Sequence, residues 1–321
     1  MRNAMKRCIG LMMIATASPA AADEISVTHW GALMYGVPYA VALDKGLFKQ
    51  AGIDITGFLT SQGGGTTMRN VLAGGLPYGE VALSAAIAAM KEGIDVKIVN
   101  SGVRSVADAL WVTMPNSDVR SVKDLAGKKM AITSPKSVTD MLSIMVLEKA
   151  GVSLAQVERP ALGGIGSALT AMEGGAVQAA PIFEPIWSAR RDRYRPLFAV
   201  KDVLPSMTQT VGVTTGEFIR SSPRKLRAII AGRRAGVDYI YANPKESAAI
   251  LATEYNLKPE VAEIAVRNLV EFGYWSRGDF DINGMNEFTR GLKIIGEVNG
   301  DIDWEKVIDR SFLPADLRGS S

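Results

Sequence analysis

Cysteine and histidine are almost absent from this sequence of 321 residues, which contains one of each, Cys8 and His29. Cys8 lies in an N-terminal segment that we expect to be removed, so the remaining chain can form no internal disulfide and offers no thiol nucleophile. One histidine is too few for a histidine-pair metal site or a confidently assigned catalytic triad. We therefore expect a protein that is not an enzyme and has no metal or cofactor, with His29 as an ordinary residue of the first strand.

Long apolar runs are also missing, since nothing after the N-terminal segment approaches the roughly 20 apolar residues that span a bilayer. Basic residues among positions 2–7 precede an apolar run over 8–17, and small residues follow over 18–22. This order is typical of a secretory signal peptide cleaved after Ala22. We expect export to the periplasm, in preference to a membrane anchor or a lipoprotein acylated at Cys8.

An excess of charge is missing as well. The whole sequence has 36 Lys and Arg against 33 Asp and Glu. Three of the basic residues and none of the acidic ones lie in the first 22 positions, so the rest of the chain is formally neutral. We therefore expect no nucleic-acid partner. The remaining chain of about 300 residues is long enough for two domains with their own cores.

Strand and helix patterns alternate through the first 200 residues. The strand patterns of the first part cover residues 26–30, 53–60, 78–83 and 95–100. With helices between them, one of which covers 38–50, this order predicts a parallel sheet covered by helices. After an apolar strand over 109–114 the pattern restarts, with strands over 128–133, 158–162, 177–183 and 195–200. A further strand over 208–215 is followed by helices over 223–242, 244–254, 259–272 and 283–298.

We interpret this order as an α/β fold of two lobes, with mixed, mostly parallel sheets flanked by helices and a ligand cleft between the lobes. Lobe 1 is discontinuous and comprises residues 23–110 plus 210–321, and lobe 2 comprises 111–209. The crossings between them, near 109–115 and 206–211, are expected to act as a hinge. We expect a monomer.

Turns rich in Gly, Ser and Thr follow four predicted strands and precede helices, over residues 61–67, 84–85, 134–139 and 163–167. In open parallel sheets, ligands bind outside the carboxyl ends of the strands. Helix N-termini there present free N–H groups and the positive end of the helix dipole. We expect at least two of these turns to line the cleft and to hold a small anion or polar group. The alternative is that each Ser or Thr only caps its own helix.

Aromatic residues are the second class of candidate, because an aromatic wall with a few polar groups is common in small-molecule pockets. They are Trp30, Tyr35, Trp111, Phe183 and Trp187, of which Trp111 and Trp187 have core packing as an equal alternative. The charged candidates Arg69, Arg104 and Lys136 are interpreted as solvent-exposed residues.

Four segments, 40–53, 72–81, 122–129 and 168–179, resemble the binding proteins for nitrate, aliphatic sulfonates, taurine and thiamine-pyrimidine precursors. That family has the type II periplasmic-binding-protein fold. Two positions depart from its pattern, because Tyr78 follows Leu76-Pro77 where the family often has Asp, and Gln178 replaces another Asp. These departures indicate a divergent branch whose ligand need not be nitrate or taurine.

The resemblance implies the solute-binding component of an ABC importer, with a permease and an ATPase in the inner membrane as partners. Its ligand is expected to be a small organic anion or a polar heterocycle, of the sulfonate, nitrate, carboxylate or pyrimidine type. Two alternatives stay open: an enzyme similar to the thiamine-pyrimidine-precursor synthase of the same fold, and a periplasmic sensor not coupled to import. Combined with the turns, the resemblance gives as ligand-binding candidates Trp30, Tyr35, Gln62, Gly64, Thr66, Ser84, Ser137, Val138, Thr139 and Glu184.

Overall fold

The computed structural model describes residues 23–73 and 76–319. The predicted signal peptide, residues 1–22, lies outside the described residues and stays a prediction. The strands are β1 (Asp23–Thr28), β2 (Ile55–Ser61), β3 (Tyr78–Ala82), β4 (Val96–Ser101), β5 (Ala109–Thr113), β6 (Ala180–Phe183), β7 (Arg195–Ala199) and β8 (Thr210–Thr215). The helices are α1 (Val37–Asp44), α2 (Leu47–Ala51), α3 (Gly64–Ala73), α4 (Leu83–Lys91), α5 (Val138–Lys149), α6 (Ile165–Glu173), α7 (Ile186–Arg190), α8 (Gly216–Ser221), α9 (Pro223–Ala242), α10 (Pro244–Glu254), α11 (Pro259–Glu271), α12 (Ile282–Ile294) and α13 (Trp304–Val307).

The first sheet has five strands in the order β2-β1-β3-β8-β4. β1 is parallel to β2 and to β3, whereas β8 runs antiparallel to both of its neighbours. In β1, Ile25 and Val27 on one face and Ser26 and Thr28 on the other are all buried, as expected of a mainly parallel sheet covered by helices on both faces. The late strand β8 thus returns the chain to the first sheet.

The second sheet has three strands in the order β6-β5-β7, all antiparallel to their neighbours. The continuous strands predicted over 128–133 and 158–162 are wrong. These segments form only single parallel bridges, Met130 to Ala179 and Ile132 to Ala161 among them. Pro160 lies inside the second segment and has no N–H to donate to a ladder, which is one physical reason for the interruption.

The C-terminal helices α9 and α10 have the predicted bounds, since a proline opens each of them and its fixed φ suits the first helical turn. The single helix predicted over 38–50 is instead divided into α1 and α2 by Gly46, which has a left-handed φ of 64°. α9 packs closely on α1 at Gly236, where a Cβ would lie 2.2 Å from the Pro38 carbonyl oxygen. Only glycine allows this approach.

The chain passes between the two sheets twice, over residues 102–108 and again over residues 200–209. The division into lobes of residues 23–110 plus 210–321 and of 111–209 stays a prediction. Since β5 begins at Ala109 and pairs only within the second sheet, we propose that the first boundary lies before Ala109. Within the described ranges, no helix has the length and apolar character needed to span a membrane.

A buried ion pair joins Glu80 of β3 to Arg233 of α9, with 3.0 Å between Arg233 Nε and Glu80 Oε2. The Glu80 carboxylate also accepts hydrogen bonds from the Tyr39 hydroxyl at 2.8 Å and the Thr210 hydroxyl at 2.7 Å. Arg233 donates in addition to the carbonyl of Gly102, at 2.9 Å. Gly102 and Thr210 lie where the chain leaves and re-enters the first sheet, so this ion pair fixes both passages.

Candidate functional site

A small inner cavity, partly open to solvent, lies between the two sheets. Its first wall, on the side of the first sheet, consists of Thr28, His29, Leu33, Tyr35, Gly63, Gly64 and Ala82. Its second wall consists of Thr133, Ser137, Val138, Thr139, Ile165 and Phe183. Among these lining residues there is no Lys, Arg, Asp or Glu, so the cavity has no fixed charge.

Helix N-termini converge on the inner cavity. α3, α5 and α6 begin at the lining residues Gly64, Val138 and Ile165, and the lining residue Ala82 directly precedes α4. The first N–H groups of a helix have no intrahelical acceptor, and they mark the positive end of the helix dipole. Among the described residues, no side chain caps the N-terminus of α4 or α6. The cavity therefore offers several backbone donors and positive dipole ends to a ligand.

Three hydroxyls of the second wall form the second hydroxyl cluster, Thr133, Ser137 and Thr139. Their oxygens lie 2.9 to 3.0 Å from one another. The cluster also accepts two backbone N–H bonds, from Thr133 to Thr139 Oγ1 at 2.8 Å and from Asp140 to Ser137 Oγ at 3.2 Å. Within the described chain none of the three hydroxyls donates to a backbone carbonyl. A hydroxyl of this cluster can therefore donate a hydrogen bond to a ligand without breaking a bond to the backbone.

The first hydroxyl cluster, Thr28, Ser61 and Thr67, lies on the other side. Thr67 Oγ1 is 2.6 Å from Thr28 Oγ1 and 2.5 Å from Ser61 Oγ. Here backbone carbonyl oxygens accept hydrogen bonds from the hydroxyls. Thr28 donates to Glu80 O at 2.9 Å, and Ser61 and Thr67 donate to Gly63 O at 3.4 and 3.3 Å. These hydroxyls hold β1, β2 and α3 together and have little donor capacity left.

His29 was expected to be an ordinary strand residue, but β1 ends at Thr28 and His29 is the first residue of the following turn. Its φ of 57° is left-handed, a conformation in which histidine is more common than most residues. The imidazole lines the inner cavity. Burial lowers the pKa of His29 to about 4, so the imidazole is neutral at pH 7.

Tyr35 also lines the first wall and is 2% exposed. Burial raises the pKa of its hydroxyl well above the usual value, with further contributions from the negative charges of Asp108 and Glu80. The hydroxyl is therefore protonated. It can donate a hydrogen bond to a ligand.

A larger and more open outer compartment continues from the inner cavity towards solvent, and His29 and Ile165 line both. Trp30, Gln62 and Ile186 are among its other lining residues. The Trp30 ring is fixed by aromatic packing, with its centroid 4.1 Å from that of Phe58. The outer compartment is wider than the inner cavity and leaves room beside it for a ligand larger than a small inorganic ion.

The structure divides the candidate ligand-binding residues into three groups. The inner cavity contains Tyr35, Gly64, Ser137, Val138 and Thr139, and the outer compartment contains Trp30 and Gln62. Thr66, Ser84 and Glu184 line neither.

Ser84 spans the boundary between the two sheets without lining the cavity. Its hydroxyl donates to the carbonyl of Lys136, with 2.6 Å between the two oxygens. The expected ligand contact at the start of α4 is thus replaced by a contact between protein segments 52 residues apart. Lys136 itself forms an ion pair with Glu297, at 3.2 Å.

Thr66 and Glu184 have local partners that account for them. The Thr66 hydroxyl accepts a hydrogen bond from Arg69 at 2.8 Å, on the exposed face of α3. The Glu184 carboxylate accepts from the N–H of Ser188 at 3.2 Å and from its hydroxyl at 3.0 Å, which caps the first turn of α7. Both were expected in the cleft, and the geometry gives them structural roles instead.

Thr28, His29 and Thr133 are cavity residues that the turn argument missed. Thr133 ends a strand-like segment, one position before the turn over 134–139, so the strand-end rule applied to the last strand residues finds it. Thr28 ends β1 and His29 follows it, whereas the predicted first strand continued to residue 30. The position of His29 beside residues of the opposite wall depends on tertiary packing, which no local pattern shows.

A second polar group lies at the crossings. Asp108, between β4 and β5, is fully buried and accepts hydrogen bonds from the Tyr274 hydroxyl at 2.6 Å and from Gln209 Nε2 at 2.9 Å. Burial raises the pKa of Asp108 to about 7. Because Gln209 belongs to the second crossing, this carboxyl ties the two crossings together.

No group of three or more His, Cys, Asp or Glu in the described ranges is placed to hold a metal ion.

Comparisons with known proteins agree with this architecture. The family model described as NMT1/THI5 like matches residues 34–247. The alkanesulfonate-binding protein SsuA from Xanthomonas axonopodis pv. citri, bound to MOPS, is similar with a TM-score of 0.75 at 16% identity, covering 91% of this chain and 100% of that one. The periplasmic nitrate-binding protein NrtA from Synechocystis PCC 6803 gives 0.72 at 14% identity, with 94% and 92% covered.

The desulfurization enzyme DszB is also similar, with a lower TM-score of 0.63 at 10% identity, covering 91% of this chain and 97% of that one. No protein of curated function matches the chain in sequence. At these identities the solved structures show the fold alone, and they confirm the predicted fold class. Since the family model covers more than half of the sequence, the chain belongs to the NMT1/THI5-like family and has the type II periplasmic-binding-protein fold.

Proposed function

We propose that the chain is the periplasmic solute-binding component of an ABC importer and that its ligand is a small organic anion. The observation that carries this proposal is the inner cavity, where three helix N-termini and the second hydroxyl cluster meet without any lining carboxylate. Each helix N-terminus stabilises an anion by about 0.3–1 kcal/mol, and by up to about 2 kcal/mol in partly buried sites. Hydrogen bonds to charged groups add about 1.5–3 kcal/mol each.

The outer compartment favours an organic anion over nitrate. An oxyanion head group in the inner cavity leaves room for a tail beside Trp30, Ile165 and Ile186. A sulfonate or a carboxylate with a short apolar or cyclic tail fits this division. That a similar protein is an alkanesulfonate-binding protein bound to MOPS supports the same class of ligand.

Contacts between the two sides of the cleft support a protein that closes around its ligand. The Ser84 hydroxyl meets the Lys136 carbonyl, and Arg290 of α12 forms an ion pair with Glu148 of α5 at 3.0 Å. Rotation at the crossings, 102–108 and 200–209, would break these contacts and open the cleft. The closed form of the monomer is then the form that docks on the permease, with the ATPase driving transport.

An enzyme of the same fold is the second candidate, favoured by the similarity to DszB. An enzyme similar to the thiamine-pyrimidine-precursor synthase of this fold would need histidine and cysteine side chains for its chemistry. This chain has Cys8 only, in the predicted signal peptide, and one histidine. The composition therefore supports binding. A periplasmic sensor would have the same site, and only coupling to transport separates it from an importer component.

A ligand screen with purified residues 23–321 tests the proposal. The panel contains alkanesulfonates, aromatic carboxylates, nitrate and pyrimidines, and thermal unfolding and calorimetry are the measurements. At a concentration of 100 times Kd, a ligand adds about 2.7 kcal/mol to stability, which corresponds to an increase in Tm of roughly 4 °C for a chain of this size. We expect the organic anions to give the largest shifts.

An uptake experiment in vesicles that contain the cognate permease and ATPase distinguishes an importer component from a sensor. The hit from the screen should enter these vesicles only when the binding protein and ATP are both present. Binding without any uptake would favour the sensor. Product formation from a pyrimidine, without a stabilising anion, would replace the proposal by the enzyme alternative.

A further inference from the structure

The first wall contains one side chain whose hydrogen-bonding groups are free. The His29 backbone is held firmly, since its N–H donates to Ser61 O at 2.8 Å and its carbonyl accepts from Ala32 and Leu33 at 3.0 and 3.1 Å. Its imidazole, in contrast, forms no hydrogen bond or ion pair with any residue of the described ranges. It lines both the inner cavity and the outer compartment. A ligand that enters through the outer compartment must therefore pass this ring.

Charged groups on the elements around His29 are bonded to other partners and do not line the inner cavity. On α3, Arg69 is bonded to Thr66. On the opposite side, Lys136 is paired with Glu297, Arg159 is paired with Asp140, and the Glu184 carboxylate is bonded to Ser188. On the element of His29 itself, Tyr35 is the other titratable residue of the inner cavity, and it is protonated because burial raises its pKa.

An anion in the inner cavity would meet backbone donors, hydroxyls and dipoles, but no cation with a full charge. Of the lining residues, only His29 can acquire a positive charge in the physiological pH range. We propose that His29 takes up a proton from solvent when an organic anion binds, and thereby becomes the positive partner that the inner cavity otherwise lacks. This inference rests on the proposed function and adds to it a proton that binds together with the anion.

The energetics follow from the pKa in the free protein. Burial alone lowers the pKa of His29 to about 4, with no charged group contributing. A negative charge at a distance of a few ångströms raises the pKa of a neighbouring group by about 1–3 units, which gives about 5–7 in the complex. With a pKa of about 6.5, in the upper part of this range, the imidazole is about half protonated in the complex at pH 6.5. Linkage then makes binding about tenfold tighter at pH 5.5 than at pH 8.

NMR on the unmodified protein is the direct test, because His29 is the only histidine in the sequence. The imidazole resonance of residues 23–321, without any tag that contains histidine, is titrated with pH in the absence and presence of butanesulfonate. This probe keeps its charge over the whole pH range. We expect the pKa of the imidazole to increase by at least 2 units when butanesulfonate is bound. An unchanged titration curve in a saturated complex would overturn the inference.

Calorimetry provides the second measurement. Affinity for butanesulfonate is measured from pH 5.5 to pH 8 in two buffers of different ionisation enthalpy, neither of which contains a sulfonate. The wild-type protein should bind about tenfold tighter at pH 5.5 and take up part of a proton, whereas His29→Gln should keep the affinity of pH 8 at every pH. Thr66→Ala, which alters a hydroxyl outside both compartments, should behave like the wild type.

The possible outcomes separate the two proposals. Binding that is independent of pH, or a pH dependence that survives in His29→Gln, overturns the role of His29 and leaves the anion receptor standing. A complete lack of binding by butanesulfonate and the other organic anions of the screen, at every pH, overturns the proposed function and the inference with it.

Discussion

The two hydroxyl clusters face each other across the cleft and differ in how their protons are used. The first hydroxyl cluster, Thr28, Ser61 and Thr67, points its donors at the carbonyl oxygens of Glu80 and Gly63. The second hydroxyl cluster, Thr133, Ser137 and Thr139, bonds mainly within itself. Residues of the same type thus serve the fold on one side of the cleft. On the other side they remain available to a ligand.

The buried carboxyl groups show the same contrast. Glu80 in the first sheet is paired with Arg233 and accepts two hydroxyl donors. Asp108 at the crossings has hydrogen-bond donors, Tyr274 and Gln209, but no cation partner in the described ranges. Near it, the buried oxygens Gln209 Oε1 and Thr208 Oγ1 have no hydrogen-bond partner among the described residues. Of the two carboxyl groups, the one with a cation partner lies in the first sheet, and the one without lies where the chain is proposed to bend.

The largest expected effect is on the compensated ion pair. Arg233→Met leaves the Glu80 carboxylate buried without its cation, which should cost about 3–5 kcal/mol of unfolding free energy. The neighbouring variant Arg234→Met is the control, because Arg234 pairs with the exposed Asp316 and such surface pairs contribute about 0–1 kcal/mol. Urea unfolding of both variants is the measurement. Equal midpoints would show that the ion pair does not hold the first sheet together.

The second effect concerns the uncompensated carboxyl. The pKa of Asp108 is about 7 in the folded protein against an ordinary value of 3.8. Between these values the folded protein holds a proton that the unfolded chain releases, so the contribution of Asp108 to stability is complete below about pH 4 and is lost as the pH approaches 7. The unfolding free energy of Asp108→Asn, measured relative to that of the wild type, should therefore increase by about 3 kcal/mol between pH 4.5 and pH 8.

Urea midpoints across this pH range measure the Asp108 effect. Asp118→Asn is the control, because the Asp118 side chain is 77% exposed and pairs with Lys128. The control should follow the wild type throughout. If Asp108→Asn also follows the wild type, the carboxyl at the crossings is ionised at neutral pH in the folded protein, and the contrast with Glu80 disappears.

Much of the fold could be predicted because local signals decide it. Prolines at the first helical position fixed the starts of α9 and α10, and β8 was recognised from its alternation. The interruption at Pro160 and the division of the first long helix at Gly46 were visible in the sequence but were outweighed by the apolar pattern. A strand prediction records which residues suit a strand, and it does not record whether a neighbouring segment supplies a continuous ladder.

The site was predictable as a place and less so as a set of residues. The rule that ligands bind at the carboxyl ends of strands led to Ser137 and Thr139, which line the cavity. The same rule could not tell that the Ser84 hydroxyl is taken by Lys136, a partner 52 residues away. Nor could it tell that His29 lines the cavity together with residues of the opposite wall such as Thr133 and Ile165. Both depend on how the two halves of the chain meet.

The third effect compares the hydroxyl clusters directly. Thr139→Val keeps the shape of the side chain but removes one hydroxyl of the second hydroxyl cluster. Loss of a hydrogen bond to a charged ligand costs about 1.5–3 kcal/mol, so affinity for the best anion of the screen should fall about 10- to 100-fold. Thr28→Val, the matched variant in the first hydroxyl cluster, should change affinity less than threefold because the Thr28 proton is already donated to Glu80 O.

Calorimetry on folded protein is the measurement for this pair of variants. Thr28→Val should instead lower the urea midpoint, since it removes a buried hydrogen bond of the first sheet, worth about 1 kcal/mol. Equal losses of affinity in the two variants would mean that both clusters donate to the ligand, and the division of roles between the walls would be wrong.

The smallest effect is expected at the contact that joins the two walls. Ser84→Ala removes the hydroxyl that donates to the Lys136 carbonyl, an interaction worth about 0.5–1.5 kcal/mol. Because the proposed opening of the cleft would break this bond, its loss should weaken anion binding by about two- to tenfold, mainly through faster dissociation. Thr253→Ala is the control, since the Thr253 hydroxyl bonds within its own helix, to Ala249 O. Stopped-flow dissociation rates decide the matter: an unchanged rate for Ser84→Ala would mean that the contact follows closure without stabilising it, and that the ligand alone holds the two walls together.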